Sequence, residues 1–448
     1  MRRALWVLVL VACVDPREQP DATVAGDAAP IDTTPPPIDT ASACGPSGSL
    51  DPTFGVGGIA APIFSGAAVA TSLLIDGDGK ILVAGGAPDA ASGVASAFAL
   101  TQFLPDGTLD PAFGDSGVET QPVIDVGTYQ STAYALVLAA NTEIIVVGRA
   151  SITTKDDCVA MRFFRTGQPD PFGATPATFV SVSPYDSGYC RGGMGIDSNG
   201  RFVAGANVGD PGAHDSLSSV RIQTTGQADI FYNLYRPYPA SSDATYAGFL
   251  APDDSYVVAG MARDLMSGAT SARVDRFKPD GTFDASFGAG GSVDLLALNG
   301  AFAVRQDPDG GLVVGGNQGA NLMLARLQAD GTSDETFAAF GLQTTTLPEG
   351  GRWNDLAIVS DAITRGATPA SSWRILAAGA TSAPAPVLAR FHADGSPDPT
   401  FGTDGVALGD PGAQIAAIAI QPDGRIVAVG AHNTIDAPTD FFVARYCP

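Results

Sequence analysis

Side chains that could do chemistry are few in this 448-residue chain and widely separated. Its three histidines, His214, His392 and His432, lie in distant segments, so an imidazole zinc site would need three remote loops to converge. No G-x-S-x-G elbow, H-E-x-x-H pair, P-loop or C-x-x-C is present, and no metal or cofactor is expected. The 47 acidic residues offer many acid–base pairs, but no spacing singles out two of them. Two D-x-D-G strings, Asp76–Gly79 and Asp307–Gly310, suggest calcium. Neither continues into the ligand set of an EF-hand, and both read as tight turns.

Two groups of side chains have a pattern. Arg162, Arg221, Arg276, Arg326, Arg390 and Arg445 recur at one point of a repeat, with Gln102 in the first copy. A ring of guanidinia could hold anions, but recurrence in copy after copy is what a structural ion pair to a turn aspartate produces. The second group is a concentration of tyrosine: seven of ten lie between Tyr185 and Tyr256. Tyr185 and Tyr189 fall in one connection between strands, and Tyr235, Arg236 and Tyr238 in the equivalent connection of the next unit. Tyr and Arg are enriched at binding hot spots, so these five residues form a candidate binding rim.

The elements that position these residues are set by the repeat. LDPTFGVGG at 50–58 returns as LDPAFGDSG at 109–117, FDASFGAGG at 283–291 and PDPTFGTDG at 397–405, with weaker copies between. The leading aspartates are Asp51, Asp110, Asp170, Asp229, Asp284, Asp334 and Asp398, and each follows a glycine by three residues: Gly48, Gly107, Gly167, Gly226, Gly281, Gly331 and Gly395. Between turns lie short β-prone runs such as ATSLLID at 70–76, ILVAGG at 81–86 and FALTQF at 98–103, separated by Gly, Asp and Pro. Units of four strands that cannot bury both faces alone predict an all-β, seven-bladed β-propeller, with an open β-solenoid as the alternative. Glycines inside the strands are expected to permit close approach of one blade to the next. Gly supplies 54 residues and Pro 33, which opposes a helical fold.

The D-x-x-F-G turn followed by a D-G-K-I-L-V-A-G-like strand resembles the delta-60 repeat family. The resemblance covers 43–448, strongest in the units led by Asp51, Asp110, Asp284 and Asp398. It implies a secreted or lipid-anchored β-propeller of myxobacterial type, mostly without assigned activity.

Residues 1–12 read as a lipoprotein signal peptide: Arg2 and Arg3 precede a nine-residue apolar stretch too short to span a bilayer. Leu10-Val11-Ala12-Cys13 resembles a lipobox, which makes Cys13 the lipidated residue and, with no aspartate after it, the outer membrane the destination. Residues 13–46 form a Pro/Asp/Thr-rich tether, expected to be disordered, before a propeller over 47–448 with units starting near 48, 107, 167, 226, 281, 331 and 395. A formal net charge of −23 without a basic stripe excludes a nucleic-acid partner. Four cysteines remain. Cys44 and Cys447 fall at equivalent points of the repeat at the two ends, so a closed ring brings them into bridging range, leaving Cys158 to pair with Cys190.

The expected function is a non-enzymatic, monomeric cell-envelope scaffold for an unknown protein or glycan, touching the membrane only through its lipid. The alternatives are a carbohydrate-active or other hydrolytic enzyme with acidic residues near the central channel, and a structural surface component without a discrete ligand.

Overall fold

The computed structural model describes residues 44–60, 63–64, 66–123, 130–139, 143–152, 155–172, 177–180, 188–209, 215–229, 241–360, 373–432 and 440–448. These belong to one compact unit, Thr40–Pro448. Cys13 lies outside the described residues, as does the rest of the N-terminal segment before Cys44.

The described residues form strands in sequential antiparallel groups. The first holds β1 (Val69–Ile75), β2 (Ile81–Asp89), β3 (Val94–Phe103) and β4 (Val118–Gln121). The second holds β5 (Gln130–Leu138), β6 (Ile144–Ile152), β7 (Lys155–Phe163) and β8 (Ala177–Val180). Next come β9 (Gly188–Ile196), β10 (Phe202–Gly209) and β11 (Asp215–Ile222). The fourth is β12 (Ser241–Leu250), β13 (Tyr256–Asp264), β14 (Thr270–Phe277) and β15 (Ser292–Leu295). The fifth is β16 (Gly300–Gln306), β17 (Leu312–Gln318), β18 (Asn321–Leu327) and β19 (Leu342–Thr345). Then follow β20 (Gly351–Ser360), β21 (Trp373–Thr381), β22 (Pro386–His392) and β23 (Val406–Leu408), and finally β24 (Ala413–Ile420), β25 (Ile426–His432) and β26 (Asp440–Tyr446). Single parallel bridges, Ser96 to Gln130 and Asp157 to Gly188, tie the first three groups along their edges.

The first strand of each group touches the first strand of the next, and β24 touches β1. An open solenoid cannot make that last contact; the ring is closed, and the fold is a β-propeller. Apolar side chains fill the spaces between consecutive sheets. Leu82, Phe98 and Leu100 of the first group pack with Val146, Val159 and Met161 of the second, and Val427 and Val443 of the last pack with Ile81 and Val83 of the first.

The repeat in the sequence is out of phase with the sheets. Leu50 and Ile59 pair with Tyr446 and Ala444 of β26, so the first copy of the D-x-x-F-G turn finishes the last sheet. Elsewhere the turn between the third strand and this motif is covalent: the Leu104 N–H donates to the Thr108 carbonyl (2.8 Å) and the Gly107 N–H to the Leu104 carbonyl (2.9 Å). At the chain ends the same two bonds run between separate segments. The Cys447 N–H donates to the Ser49 carbonyl (2.8 Å), and the Gly48 N–H to the Cys447 carbonyl (3.0 Å). The Cys44–Cys447 disulfide, with Cα atoms 5.8 Å apart, supplies the missing covalent link. Cys158 of β7 and Cys190 of β9 form the second disulfide and join neighbouring sheets.

Every inner strand carries a β-bulge at the same depth. Register shifts fall between Ala70 and Ser72, Ala133 and Ala135, Thr245 and Ala247, Ala301 and Ala303, Trp353 and Asp355, and Ile415 and Ala417. In β9 the irregularity is wider: Met194 and Cys190 pair with Ala204 and Ala206, leaving Arg191, Gly192 and Gly193 opposite one residue. The bulge presses an inner-strand carbonyl onto the second strand, where a glycine waits. A Cβ on Gly148 would lie 2.1 Å from the Thr132 oxygen, on Gly260 1.9 Å from that of Ala244, and on Gly430 1.9 Å from that of Gln414. Strand glycines also serve the expected contact between blades: a Cβ on Gly193 would lie 2.0 Å from the Gly248 oxygen and on Gly195 2.3 Å from the Leu250 Cβ, both in the next sheet. Gly86 and Gly315 likewise face the next blade, at Thr132 and Leu356, but the recurrent glycine answers a bulge within its own sheet.

Two outcomes test this construction. Gly430→Ala should lower stability by roughly 2–3 kcal/mol as the bulge is forced apart. Gly77→Ala, with nothing within 4 Å of the new methyl, should change the denaturation midpoint little. Removing Cys447 opens a 403-residue separation and removing Cys158 one of 32. In the chain-entropy account, Cys447→Ser should therefore cost about 2 kcal/mol more than Cys158→Ser in urea unfolding under non-reducing conditions.

Candidate functional site

The inner strands enclose a central channel with a cavity of about 520 Å³, within the usual range for ligand sites. A bulge turns a side chain out of the regular alternation, and here the bulge residues Thr71, Tyr134, Tyr246, Phe302, Asn354 and Ala416 all line the cavity. Arg191 from the wide bulge of β9 joins them, with Arg352 and Gln414 each two residues before a bulge position.

These side chains form a ladder along five consecutive inner strands. The Arg191 guanidinium lies over the rings of Tyr134 (5.3 Å to the centroid) and Tyr246 (4.7 Å). Tyr246 and Phe302 meet at 4.8 Å between centroids, and Arg352 lies over Phe302 at 4.7 Å. Arg352 Nε donates to Asn354 Oδ1 (2.9 Å), and Asn354 Nδ2 donates to the Ile415 carbonyl (2.7 Å). Burial first, and the charge of Arg191 second, hold the Arg352 guanidinium below its usual range. Among the described residues, no carboxylate pairs with either arginine.

Among the described lining residues one is acidic, Asp355, and both its oxygens are engaged. Oδ1 accepts from Arg305 (2.6 Å) and from the Leu356 N–H (2.8 Å), and Oδ2 accepts from the Ile418 N–H (2.9 Å). Asp355 thus fastens β16, β20 and β24 together.

The repeated arginines lie elsewhere, at the outer corners, each on the aspartate of a D-x-x-F-G turn. The N···O distances are 2.9 Å for Arg162–Asp170, 2.6 Å for Arg221–Asp229, 2.6 Å for Arg276–Asp284, 2.9 Å for Arg326–Asp334 and 2.8 Å for Arg390–Asp398. Arg445 pairs with Asp51 at 2.8 Å across the chain ends, and Lys80 with Asp110 at 2.6 Å where Gln102 replaces the arginine. Both D-x-D-G strings are turns whose aspartate collects backbone donors: Asp76 Oδ1 from Asp78 and Lys80, Asp307 Oδ1 from Asp309 and Gly311.

Of the candidate rim, Tyr185, Tyr235, Arg236 and Tyr238 lie outside the described residues, as does His214. Tyr189 is not in a connection: it sits in β9 paired with Asn207, with the Arg149 guanidinium 5.3 Å from its ring centroid. The strand extends this far because the Cys190 disulfide anchors its start against β7. Two further tyrosines of the same cluster diverge: Tyr246 enters the channel, whereas Tyr256 is buried and donates to the Gly193 carbonyl at 2.6 Å. The ladder escaped the sequence reading. Its signal is an aromatic between two small residues, Ala133-Tyr134-Ala135, Thr245-Tyr246-Ala247 and Ala301-Phe302-Ala303.

The corner aspartates make stability pH-dependent. Burial alone would raise Asp398 and Asp51, but hydrogen bonds from Thr400 and Thr53 and the adjacent arginines hold both below the usual carboxylate range. A depressed folded pKa means the unfolded chain binds more protons between that value and about 3.9, so stability falls as pH drops through this window. The corner aspartates' contribution to the denaturation midpoint should be complete above about pH 5 and be lost below about pH 4. Asp398→Asn should be less stable at pH 7 and show a shallower decline in acid.

Five segments, 77–113, 251–287, 308–337, 374–401 and 421–448, match the family model described as "Domain of unknown function (DUF5122) beta-propeller". No curated protein matches the sequence significantly. Among solved structures, the chain is similar to a protein of unknown function from Dyadobacter fermentans DSM 18053, at 11% identity over 86% of this chain and 96% of that one, with a TM-score of 0.45. It is also similar to a PL25 polysaccharide lyase, an ulvan lyase (14%, 68% and 75%, 0.40), and to Sqt1 from Chaetomium thermophilum (12%, 86% and 97%, 0.43). With its all-β ring and these spaced repeat matches, the chain is a β-propeller repeat protein similar to that family of unknown function.

Proposed function

We propose that this chain is an exported, seven-bladed propeller, lipidated at Cys13 and held at the outer membrane, that binds a protein or glycan ligand in its central channel without transforming it. The observation that carries this reading is the channel lining. Rings, guanidinia and amides face a cavity of ligand size, while Asp355, the carboxylate among its lining residues, spends both oxygens on Arg305 and backbone N–H groups. Hydrolysis by paired carboxylates needs two acids about 5–10 Å apart, and Asp355 is the one carboxylate among the described lining residues. Two disulfides favour an oxidising compartment, in keeping with the lipobox and the delta-60 resemblance. Each inner strand contributes to the wall, so the site is held by a closed frame rather than by mobile loops.

Probing immobilised glycan and protein arrays tests the reading. The wild-type chain should retain a discrete ligand set and release no product from it. Ala416→Trp, which fills the channel from a bulge position, should abolish retention with an unchanged melting temperature. Retention unaffected by Ala416→Trp would move the site to the rim. Product release lost in Asp355→Asn would make the protein a hydrolase.

A further inference from the structure

A ligand site in the channel leaves the chemistry of the ligand open, and two of the three arginines on its wall narrow it. The chain carries 47 acidic residues against 24 basic ones, and the six arginines at the repeated position are all spent on corner aspartates. Arg305 is likewise matched to Asp355. Arg191 and Arg352 are different. Both line the cavity, and among the described residues Arg352 has one hydrogen-bond acceptor, the neutral Asn354 amide, while Arg191 has aromatic faces alone. A guanidinium held over a ring meets it through its charge, and the ring face accepts no conventional hydrogen bond from the in-plane N–H donors. Nearly the whole donor set of both groups therefore remains for a molecule in the channel.

The wall between them is equally specific. Tyr246 and Phe302 present touching rings, Tyr134 adds a third on the other side of Arg191, and Asn354, Gln414 and Thr71 add neutral polar groups around the same cavity. Rings beside amides and a hydroxyl suit a ligand with apolar faces and many hydroxyls. Guanidinia with open edges suit carboxylate or sulfate, which accept two parallel N–H bonds. One molecule answers both.

We propose that the Arg191–Tyr246–Phe302–Arg352 ladder is a binding site for acidic saccharides. Their carboxylate or sulfate groups take the open edges of Arg191 and Arg352, and their sugar rings lie against the aromatic row. The proposal rests on the channel being the ligand site. It predicts a preference within that site and no chemical change in the ligand. The Cys158–Cys190 disulfide has a part in it, because it pins β9 immediately before Arg191 and so fixes the wide bulge from which that side chain leaves the sheet.

Calorimetric titration of the whole protein separates the possibilities, with tetragalacturonate, a heparin-derived tetrasaccharide, neutral maltotetraose and a hexaglutamate peptide as probes. At least one acidic tetrasaccharide should bind at least tenfold more tightly than maltotetraose, with an affinity that falls as salt is raised. The double variant Arg191→Gln/Arg352→Gln should lose thirtyfold or more of that affinity at an unchanged melting temperature. Phe302→Leu should lose about tenfold through the sugar face alone. Arg191→Lys, which keeps the charge but not the fork, should fall between the wild type and the double variant. Equal binding of maltotetraose that Ala416→Trp abolishes would overturn the acidic preference while leaving the channel reading intact. Acidic saccharide binding that survives the double variant would overturn the ladder as its site. Tighter binding of hexaglutamate than of either acidic sugar would assign the site to acidic peptides instead, and no binding of any probe at millimolar concentration would overturn the proposal outright.

Discussion

One contact joins the sheets at six corners among the described residues: the phenylalanine of the turn motif lies against the turn glycine of the following unit. A Cβ on Gly107 would strike the Phe54 ring at 2.8 Å, on Gly167 the Phe113 ring at 2.9 Å, and on Gly395 the Phe337 ring at 2.8 Å. Beside each ring the next residue donates its N–H across the same gap, Gly55 to Asp106, Gly114 to Thr166 and Gly288 to Asp330. The buried ring supplies on the order of 2–3 kcal/mol per corner, and the glycine is what lets it approach. The corner arginine adds direction. Arg221 reaches the Pro279 carbonyl of the next turn while holding its own Asp229. At the chain ends the same contact closes the ring, with Phe401 against Gly48 and the Gly402 N–H donating to the Ser47 carbonyl. The disulfide at Cys44 and Cys447 therefore secures an interface that noncovalent packing already defines.

Closure is what turns the bulges into a site. A bulge in an isolated sheet re-aims one side chain; in a ring, bulges at the same depth aim their side chains at one axis. The cost is a carbonyl forced against the second strand, and a glycine at that position removes the clash. The most conspicuous residue of the ILVAGG run thus serves the channel without lying in it. Where β9 widens its bulge with Gly192 and Gly193, the ring loses its regularity and gains Arg191.

Charge is distributed by the same division between corner and channel. At the corners each turn aspartate has at least one basic partner, Asp51 and Asp398 two, and hydrogen bonds from Thr or Ser two residues on help keep Asp51, Asp284, Asp334 and Asp398 ionised. In the channel the matching stops. Asp355 is consumed in binding three strands together, while Arg191 and Arg352 keep aromatic neighbours only, apart from one amide. Two arginines that have no counter-ion among the described residues, at the axis of an acidic protein, present a local field opposite to its net charge, and the proposed preference for acidic ligands rests on this contrast.

What was legible in the sequence is what local chemistry decides. Turn glycines, the aspartate that caps each turn and the alternation of short apolar runs act within a few residues of one another, so the all-β repeat and its corner pairs could be read directly. The partners Cys44 and Cys447 were legible as well, because both occupy one phase of a periodic pattern and a closed ring makes equal phases neighbours. The phase of the repeat against the sheets was not legible, since only closure shows that residues 50–59 finish the sheet begun at Ala413. Nor was the ladder. Tyr134, Arg191, Tyr246, Phe302 and Arg352 sit in different units at positions the repeat leaves variable, and no short-range rule relates them. They become one surface because inner strands that are remote in sequence converge on a single axis, and that convergence belongs to the tertiary structure alone.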